Sequence, residues 1–288
     1  MMIVRPIAWT IAGTDPSGGA GIQADLKAFH SLGVYGGSAI TAVIAQNTLG
    51  VRRVEPVAPD LLAAQLEALV EDLPPRAIKI GMLGTASNVA VVARVVDAAG
   101  VPVICDPVLA ASAGGALLDE TGVEALLAKL LPRVTLVTPN LPEASRLCDF
   151  EVNDAATMRR AAERLLETGV GGVLIKGGHA SDGIFCRDLL ALRDGRRQWL
   201  AGPRLQVNHG HGAGCTLSAA IAAFLAHGQP LPSAVVLAKA YVTQGLRHGG
   251  GIGRGRGPLA HLGWPGDPAD LPQVEEERPA TPAGGFHG

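Results

Sequence analysis

Short β-branched or apolar runs alternate along most of this chain with longer segments whose apolar residues recur at helical spacing, and that alternation restricts the fold most. Residues 7–12, 77–83, 101–105, 134–137 and 172–175 read as strands, and 22–32, 61–73, 89–99, 123–131 and 158–168 as helices. Strand–helix alternation of this kind builds βαβ units around a central sheet. Two further apolar runs lie at 38–45 and 51–57. Residues 184–192 and 198–207, parted by Asp194-Gly195, read as an antiparallel hairpin, and a last helix spans about 233–246.

Chemistry concentrates in two glycine-rich turns. His209-Gly210-His211-Gly212-Ala213-Gly214-Cys215 runs without a breaker into an alanine-rich apolar helix. Such a junction gathers unpaired backbone N–H groups at the positive end of a helix dipole, which makes an anion site. The helix field is expected to lower the pKa of the Cys215 thiol. A plain helix start with a buried cysteine is the alternative for this stretch alone. The other turn, Gly13-Thr14-Asp15-Pro16-Ser17-Gly18-Gly19-Ala20-Gly21, follows the first strand but lacks both the GxGxxG spacing of dinucleotide folds and the Walker A pattern. Asp25 stands one turn into the helix that follows, where an exposed N-terminal carboxylate would also be at home. Asp106 ends a strand just before Pro107, at the edge where open α/β sheets place their ligands.

Charge and composition exclude several classes. The formal net charge is −2, with Lys and Arg scattered, so no nucleic-acid partner is expected. No apolar run reaches the roughly 18 residues of a membrane span, and the N-terminus carries no signal-peptide pattern, so a cytosolic protein is expected. Cys105, Cys148, Cys186 and Cys215 are far apart with no CxxC pair, which points to neither a zinc site nor a disulfide framework. A chain of 288 residues, 48% hydrophobic, fits one large domain, taken here as residues 1–263. Residues 264–288 have no apolar periodicity and are expected to form a disordered tail.

Successive motifs of the chain resemble those of the hydroxymethylpyrimidine/phosphomethylpyrimidine kinases, members of the ribokinase-like superfamily. The resemblance rests on the block 12–29, Ala45-Gln46-Asn47-Thr48, Lys79-Ile80-Gly81-Met82-Leu83, Asp106-Pro107-Val108, Thr138-Pro139-Asn140-Leu141-Pro142-Glu143-Ala144, Lys176-Gly177-Gly178-His179 and His211-Gly212-Ala213-Gly214-Cys215-Thr216. It covers roughly residues 7–262. It implies a three-layer α/β/α fold with a mostly parallel central sheet and helices on both faces. It also implies ATP-dependent phosphorylation of 4-amino-5-hydroxymethyl-2-methylpyrimidine and then of its monophosphate, in thiamine biosynthesis, by a homodimer. By similarity Gly13, Asp25, Gln46, Met82 and Val108 form the pyrimidine pocket. Gln46 both donates and accepts, Asp25 orients the hydroxymethyl or a polar ring substituent, and Met82 packs on the ring. The Gly212-Ala213-Gly214-Cys215 loop stabilises the phosphoryl group, with Cys215 acting through its thiol or its N–H. Lys176 and Asn140 attend ATP, while Glu143, with Asn140, and Asp106 attend magnesium.

Two departures from the family pattern stand out. Ala213 replaces a frequent threonine, which removes a hydroxyl but leaves the N–H groups. Ala111-Ser112-Ala113-Gly114-Gly115 lacks the usual acidic residue, and that loop is assigned no role. A pyridoxal or pyridoxine kinase is the rival of the same class, and a non-catalytic pyrimidine-binding sensor the rival of a different class.

Overall fold

Nine strands follow one another as β1 (Ile7–Gly13), β2 (Tyr35–Asn47), β3 (Gly50–Pro56), β4 (Ala77–Ile80), β5 (Val103–Cys105), β6 (Leu136–Val137), β7 (Gly172–Ile175), β8 (Phe185–Leu192) and β9 (Arg197–Pro203). In the computed structural model, which describes residues 5–110, 115, 117–178, 185–264 and 266–277, they form one sheet in the order β9-β8-β7-β6-β5-β4-β1-β2-β3. The neighbours from β7 to β2 pair in parallel, while β3, β8 and β9 join antiparallel at the two ends. The sheet is therefore mostly parallel at its centre and antiparallel at its edges.

Among the described residues eight α-helices cover both faces: α1 (Gly21–Ser31), α2 (Pro59–Asp72), α3 (Ala86–Ala99), α4 (Glu120–Ala125), α5 (Leu141–Cys148), α6 (Ala155–Leu166), α7 (Ala213–Ala226) and α8 (Leu231–His248). Strand side chains alternate between faces, and the two cores follow that alternation. Trp9, Ile11, Ile78 and Ile80 pack with Leu66 of α2, Val92 of α3, Leu147 of α5 and Leu165 of α6. Ala8, Ala77, Ile104 and Leu174 pack with Phe29 of α1, Ile221 of α7 and Tyr241 of α8. Each fully buried aliphatic side chain contributes about 1.5–3 kcal/mol, so both helix layers are bound firmly. The three-layer α/β/α arrangement expected from the resemblance is present.

The pleat also decides what lies under the site. Thr10 and Lys79 share the parity of Ala8 and Ala77, so they face the α1/α7 layer, and both are fully buried. Register shifts between Ala12 and Gly13, where β1 leaves the sheet and opens into the first glycine-rich turn.

Several elements differ from expectation. β4 stops at Ile80 and β5 begins at Val103, both shorter than the apolar runs around them. The helix expected over 123–131 is α4 followed by a π turn and a 3-10 turn. α5 had no counterpart among the expected helices. Two short strands, β10 (His209–His211) and β11 (Gly257–Pro258), pair in parallel beside the second glycine-rich turn. The expected disordered tail is corrected over its described part. Trp264 packs edge-on against Phe224 and Tyr241, with ring centres at 5.6 and 6.2 Å. A further strand, β12 (Gln273–Glu276), extends the sheet antiparallel to β9. Glu275 and Glu276 accept hydrogen bonds from Arg187 at 2.6 Å and Gln198 at 2.7 Å. Residues 265 and 278–288, like 111–114, His179 and Ile184, lie outside the described residues. Among the described residues no helix is long and apolar enough to cross a membrane.

Candidate active site

The two glycine-rich turns meet. Gly212, the residue before α7, has φ 80°, and a Cβ there would stand 1.8 Å from the Gly19 carbonyl oxygen. Only glycine satisfies both conditions. Asp15, fully buried, joins the turns: it accepts from the backbone N–H groups of Ser17 (2.9 Å), Gly19 (3.2 Å) and Ala20 (2.8 Å), from Ser17 Oγ (2.7 Å) and from His211 Nε2 (2.8 Å). Burial works against its charge, but the hydrogen bonds from His211, Ser17 and Ala20 more than offset that and hold the carboxyl well below the usual range. The nitrogen of His211 that faces this carboxylate is thus its N–H donor.

The first intrahelical bond of α7 runs from Thr216 N–H to Gly212 C=O at 2.8 Å. The N–H groups of Gly212, Ala213, Gly214 and Cys215 therefore have no acceptor within the helix, and all four residues line one cleft of about 1060 Å³. Unpaired backbone donors of this kind are what an anion site requires. The expectation for the Cys215 thiol does not hold: burial pushes it up, to about 11, although Lys79 pulls it down. Burial, with the Asp25 and Asp106 carboxylates, outweighs the pull of Lys79 and of the Gly21 N–H.

A charged cluster borders the loop. A Cβ on Gly214 would stand 3.3 Å from Lys176 Nζ and 3.4 Å from Asp106 Oδ2. Lys176 Nζ donates to Asp106 Oδ1 at 3.0 Å, and Thr138 Oγ1 donates to the same oxygen at 3.4 Å. Asn140 caps α5 in a reciprocal capping box: Glu143 N–H donates to Asn140 Oδ1 and Asn140 N–H to Glu143 Oε2, each at 2.8 Å. Asn140 is thus a helix cap, yet both residues still line the cleft. Burial, against the pull of Lys176 and with the repulsion of Asp106, pushes Glu143 up to about 7. Among the described residues no three His, Cys, Asp or Glu side chains come together as a ready metal cage.

Glu143 gives a testable pH dependence. Its pKa is about 7 folded against 4.5 for an ordinary glutamate. The native state therefore holds the extra proton between those values, and this group's contribution is present below about 4.5 and lost as pH rises through 7. Without nucleotide or divalent cations, Glu143→Gln, which keeps the capping oxygen, is expected to gain in Tm over the parent protein between about pH 5 and about pH 8. Parallel melting curves across that interval would refute the shift.

At the other end of the cleft, Gly13, Ile44, Gln46, Met82 and Val108 form a mostly apolar wall. A Cβ on Gly13 would come within 3.1 Å of Ile44 Cδ1 and 3.3 Å of Met82 Sδ, so glycine sets how closely that wall closes. Asp25 does not join this wall. It is fully buried behind it, with Oδ2 accepting from Lys79 Nζ and Thr10 Oγ1, both at 2.6 Å, and Oδ1 unpaired. Neither an exposed helix carboxylate nor a direct substrate contact describes it. Burial pushes Asp25 up against the pull of Lys79 and Thr10. Burial also works against the Lys79 ammonium, but Asp25, with Cys215 and Asp106, more than offsets this and raises its pKa.

Lys79 itself lines the cleft floor. It lay inside a recognised motif without a role, and the available signal was a lysine between two isoleucines of a buried strand, which demands a carboxylate partner. Beyond the loop, Lys239 pairs with Asp188, which also accepts from Gly177 N–H at 2.9 Å. Cys186, Arg204 and Val242 continue the lining there. Sequence reasoning left Asp15, His211, Asp188 and Lys239 without roles, because their partners are remote in the chain.

A family model described as phosphomethylpyrimidine kinase matches residues 15–260. The chain is 46% identical over 255 residues to the hydroxymethylpyrimidine/phosphomethylpyrimidine kinase of Haemophilus influenzae, a match covering 88% of this chain and 95% of that protein. Among solved structures, the pyridoxal kinase from Staphylococcus aureus in complex with AMP-PCP and pyridoxal superposes with a TM-score of 0.84 at 34% identity, covering 95% of this chain and 99% of that one. The phosphomethylpyrimidine kinase of Clostridium difficile gives a TM-score of 0.72 at 38% identity, with coverage of 83% and 98%.

Proposed function

The chain belongs to the phosphomethylpyrimidine kinase family, and from that premise we propose that it phosphorylates 4-amino-5-hydroxymethyl-2-methylpyrimidine with ATP and then converts the monophosphate to the diphosphate, as a step of thiamine biosynthesis. One observation carries the reading at the level of residues: a single cleft joins an apolar wall containing Gln46 to a lysine-lined end, with the Gly212–Cys215 loop between them.

Each part of the cleft has a task in that reaction. Met82 and Val108 pack the flat ring, and Gln46 answers its amine and ring nitrogens with an acceptor and a donor. The apolar wall brings the hydroxymethyl oxygen towards the loop, where the free N–H groups of α7 meet the charge on the transferring phosphoryl. Lys176 and Lys239 stand on the nucleotide side to pair with its phosphates. Asp25 acts at one remove, by holding Lys79 charged beneath the loop. A magnesium ion fits Asp106 and Glu143, two carboxylates close enough that one raises the pKa of the other; held through water, it would neutralise charge on the phosphate oxygens. The cytosolic, homodimeric state belongs to the same reading, and the half-exposed Val43 and Leu49 on the β2–β3 ribbon support self-association.

The thiol of Cys215 is not the base in this scheme. Burial pushes its pKa up to about 11, so the thiol holds its proton at neutral pH. A loose transition state needs little help in removing the acceptor proton. Cys215→Ala is therefore expected to keep kcat within about 10-fold, less than the 10²–10⁴ that a general base supplies. A loss beyond about 100-fold would return the chemistry to the sulfur.

The likeness to a pyridoxal kinase at a TM-score of 0.84 favours one second reading, phosphorylation of pyridoxal. A coupled ADP-release assay with both acceptors, with products followed by mass spectrometry, separates the two. Monophosphate followed by diphosphate is the expected result. Turnover of pyridoxal without turnover of the pyrimidine would replace it.

A further inference from the structure

Six Lys and Arg side chains line the cleft, and most of them are already engaged. Lys79 faces Asp25, Lys176 faces Asp106 and Lys239 faces Asp188. Arg146 donates to the carbonyl oxygens of Leu109 (3.3 Å) and Leu118 (2.8 Å), and Arg204 has an interaction of its own. Arg256 differs: its guanidinium makes no ion pair or hydrogen bond with any described residue. Its side chain is exposed, but its backbone is held in place. The residue immediately precedes β11, whose pairing with β10 aligns His209 with Gly257 and His211 with Pro258. Its own N–H donates to Thr48 C=O at 2.9 Å, and Gly255 N–H donates to Thr48 Oγ1 at 3.2 Å. Arg256 is thereby strung between the turn that follows Gln46 and the phosphoryl loop. A Cβ on Gly210 would stand 3.2 Å from its Nη2, so the glycine allows the guanidinium to lie against that loop.

The two phosphorylations place different charge at the loop. In the first the acceptor is a neutral alcohol, which loses a proton as its oxygen bonds to the γ-phosphorus. In the second it is a phosphate monoester carrying close to two negative charges. An oxygen of that ester forms the new P–O bond, the bond from the γ-phosphorus to the β-phosphate oxygen breaks, and ADP leaves with its electron pair; between fully ionised species no proton is exchanged. Two anions must then approach each other at one loop. A lysine paired with a carboxylate adds less net positive charge there than an unpaired guanidinium, which adds one full charge and a fork that fits phosphate.

We propose that Arg256 receives the phosphate of the phosphomonoester acceptor and thereby makes the second phosphorylation possible at the site of the first. The proposal rests on the kinase reading above and assigns within it the residue that distinguishes the two acceptors.

The test compares Arg256→Gln and Arg256→Lys with the parent enzyme on both acceptors. For Arg256→Gln, the ratio of kcat/KM for hydroxymethylpyrimidine phosphate to that for hydroxymethylpyrimidine is expected to fall by about 10-fold or more, the size of one charge-assisted contact. Arg256→Lys should recover part of that ratio. An unchanged ratio, whether both acceptors suffer equally or neither does, overturns the assignment. Calorimetric titration of parent and Arg256→Gln with each acceptor, without nucleotide, reads the same contact independently of turnover. Weaker binding of the phosphate ester alone supports the role, and equal affinities for it in the two proteins overturn it. If the parent turned over neither acceptor, the kinase reading would fall, and the titration would still decide whether Arg256 receives the phosphate.

Discussion

Replacing Gly212 by alanine is expected to cost about 100-fold or more in kcat, together with about 2–4 kcal/mol of stability. The backbone at this position has φ 80°, which any residue with a Cβ adopts only under strain. The added carbon would also stand 1.8 Å from the Gly19 carbonyl oxygen, a backbone atom with no rotamer to escape through. Relief requires the turn at 209–214 to move away from the turn at 15–21, against the bonds Asp15 makes to both sides. Such a movement re-aims the N–H groups at the start of α7. Preorganised donors lose their effect when displaced, and one lost donor costs about 10²–10³ in comparable sites. Gly178→Ala serves as the control, since an added Cβ there meets no described residue within 4 Å although Gly178 lines the same cleft. Steady-state kinetics and thermal melts on both variants provide the check. A Gly212→Ala enzyme within about 3-fold of the parent would show that the loop donors contribute little to the step.

The sequence revealed its sheet more readily than its charges, and particular residues show why. The central strands carry apolar runs that need no distant partner to be recognised, and the loop at 209–215 announces itself through glycine spacing and the helix that follows. α5 was hidden because it has eight residues, a proline at its second position, and polar Glu143, Ser145 and Arg146 between its buried positions. Its one local signal, Asn140 with Glu143 three residues later, was absorbed into a metal-binding pattern although it is also a capping box. β12 was hidden for another reason. All four of its residues are exposed, so it has no apolar alternation, and its pairing with β9 depends on an edge created some 70 residues earlier. The charges at the site could not be assigned from spacing at all. Asp25 and Lys79 are 54 residues apart, and Asp15 and His211 are 196 apart. Whether a thiol at a helix start ionises depends on how deeply it is buried, which a local dipole argument cannot supply; Cys215 shows burial prevailing.

Lys79→Met is the second large effect expected, with a loss of about 3–5 kcal/mol. Lys79 and Asp25 are both fully buried, and the ammonium and Thr10 are the two hydrogen-bond partners of the carboxylate. Its other oxygen has none. Methionine fills much of the lysine stem but leaves the carboxyl facing Thr10 alone, in a place where burial already pushes its pKa up. The consequence has a definite sign. Asp25 in the variant holds its proton to a higher pH than an unfolded aspartate, whose value is 3.8. Its burden on the fold is therefore smallest near and below that value and grows as pH rises towards the raised folded pKa. The stability gap between variant and parent should accordingly be narrower at about pH 5 than at about pH 8. Adding Asp25→Asn removes the buried charge and should recover part of the loss, because breaking a buried pair is far more harmful than replacing both of its members. Denaturant titrations of the parent, Lys79→Met and the double variant at both pH values provide the measurement. A double variant less stable than Lys79→Met would show that uncompensated charge is not what the single substitution exposes. Cleft chemistry should fail in Lys79→Met beyond what stability explains, since the lost ammonium lies on the cleft floor beside the phosphoryl loop. The double variant tests that as well: recovered stability without recovered kcat would mean that the positive charge of Lys79, and not only the packing it supports, serves the phosphoryl loop.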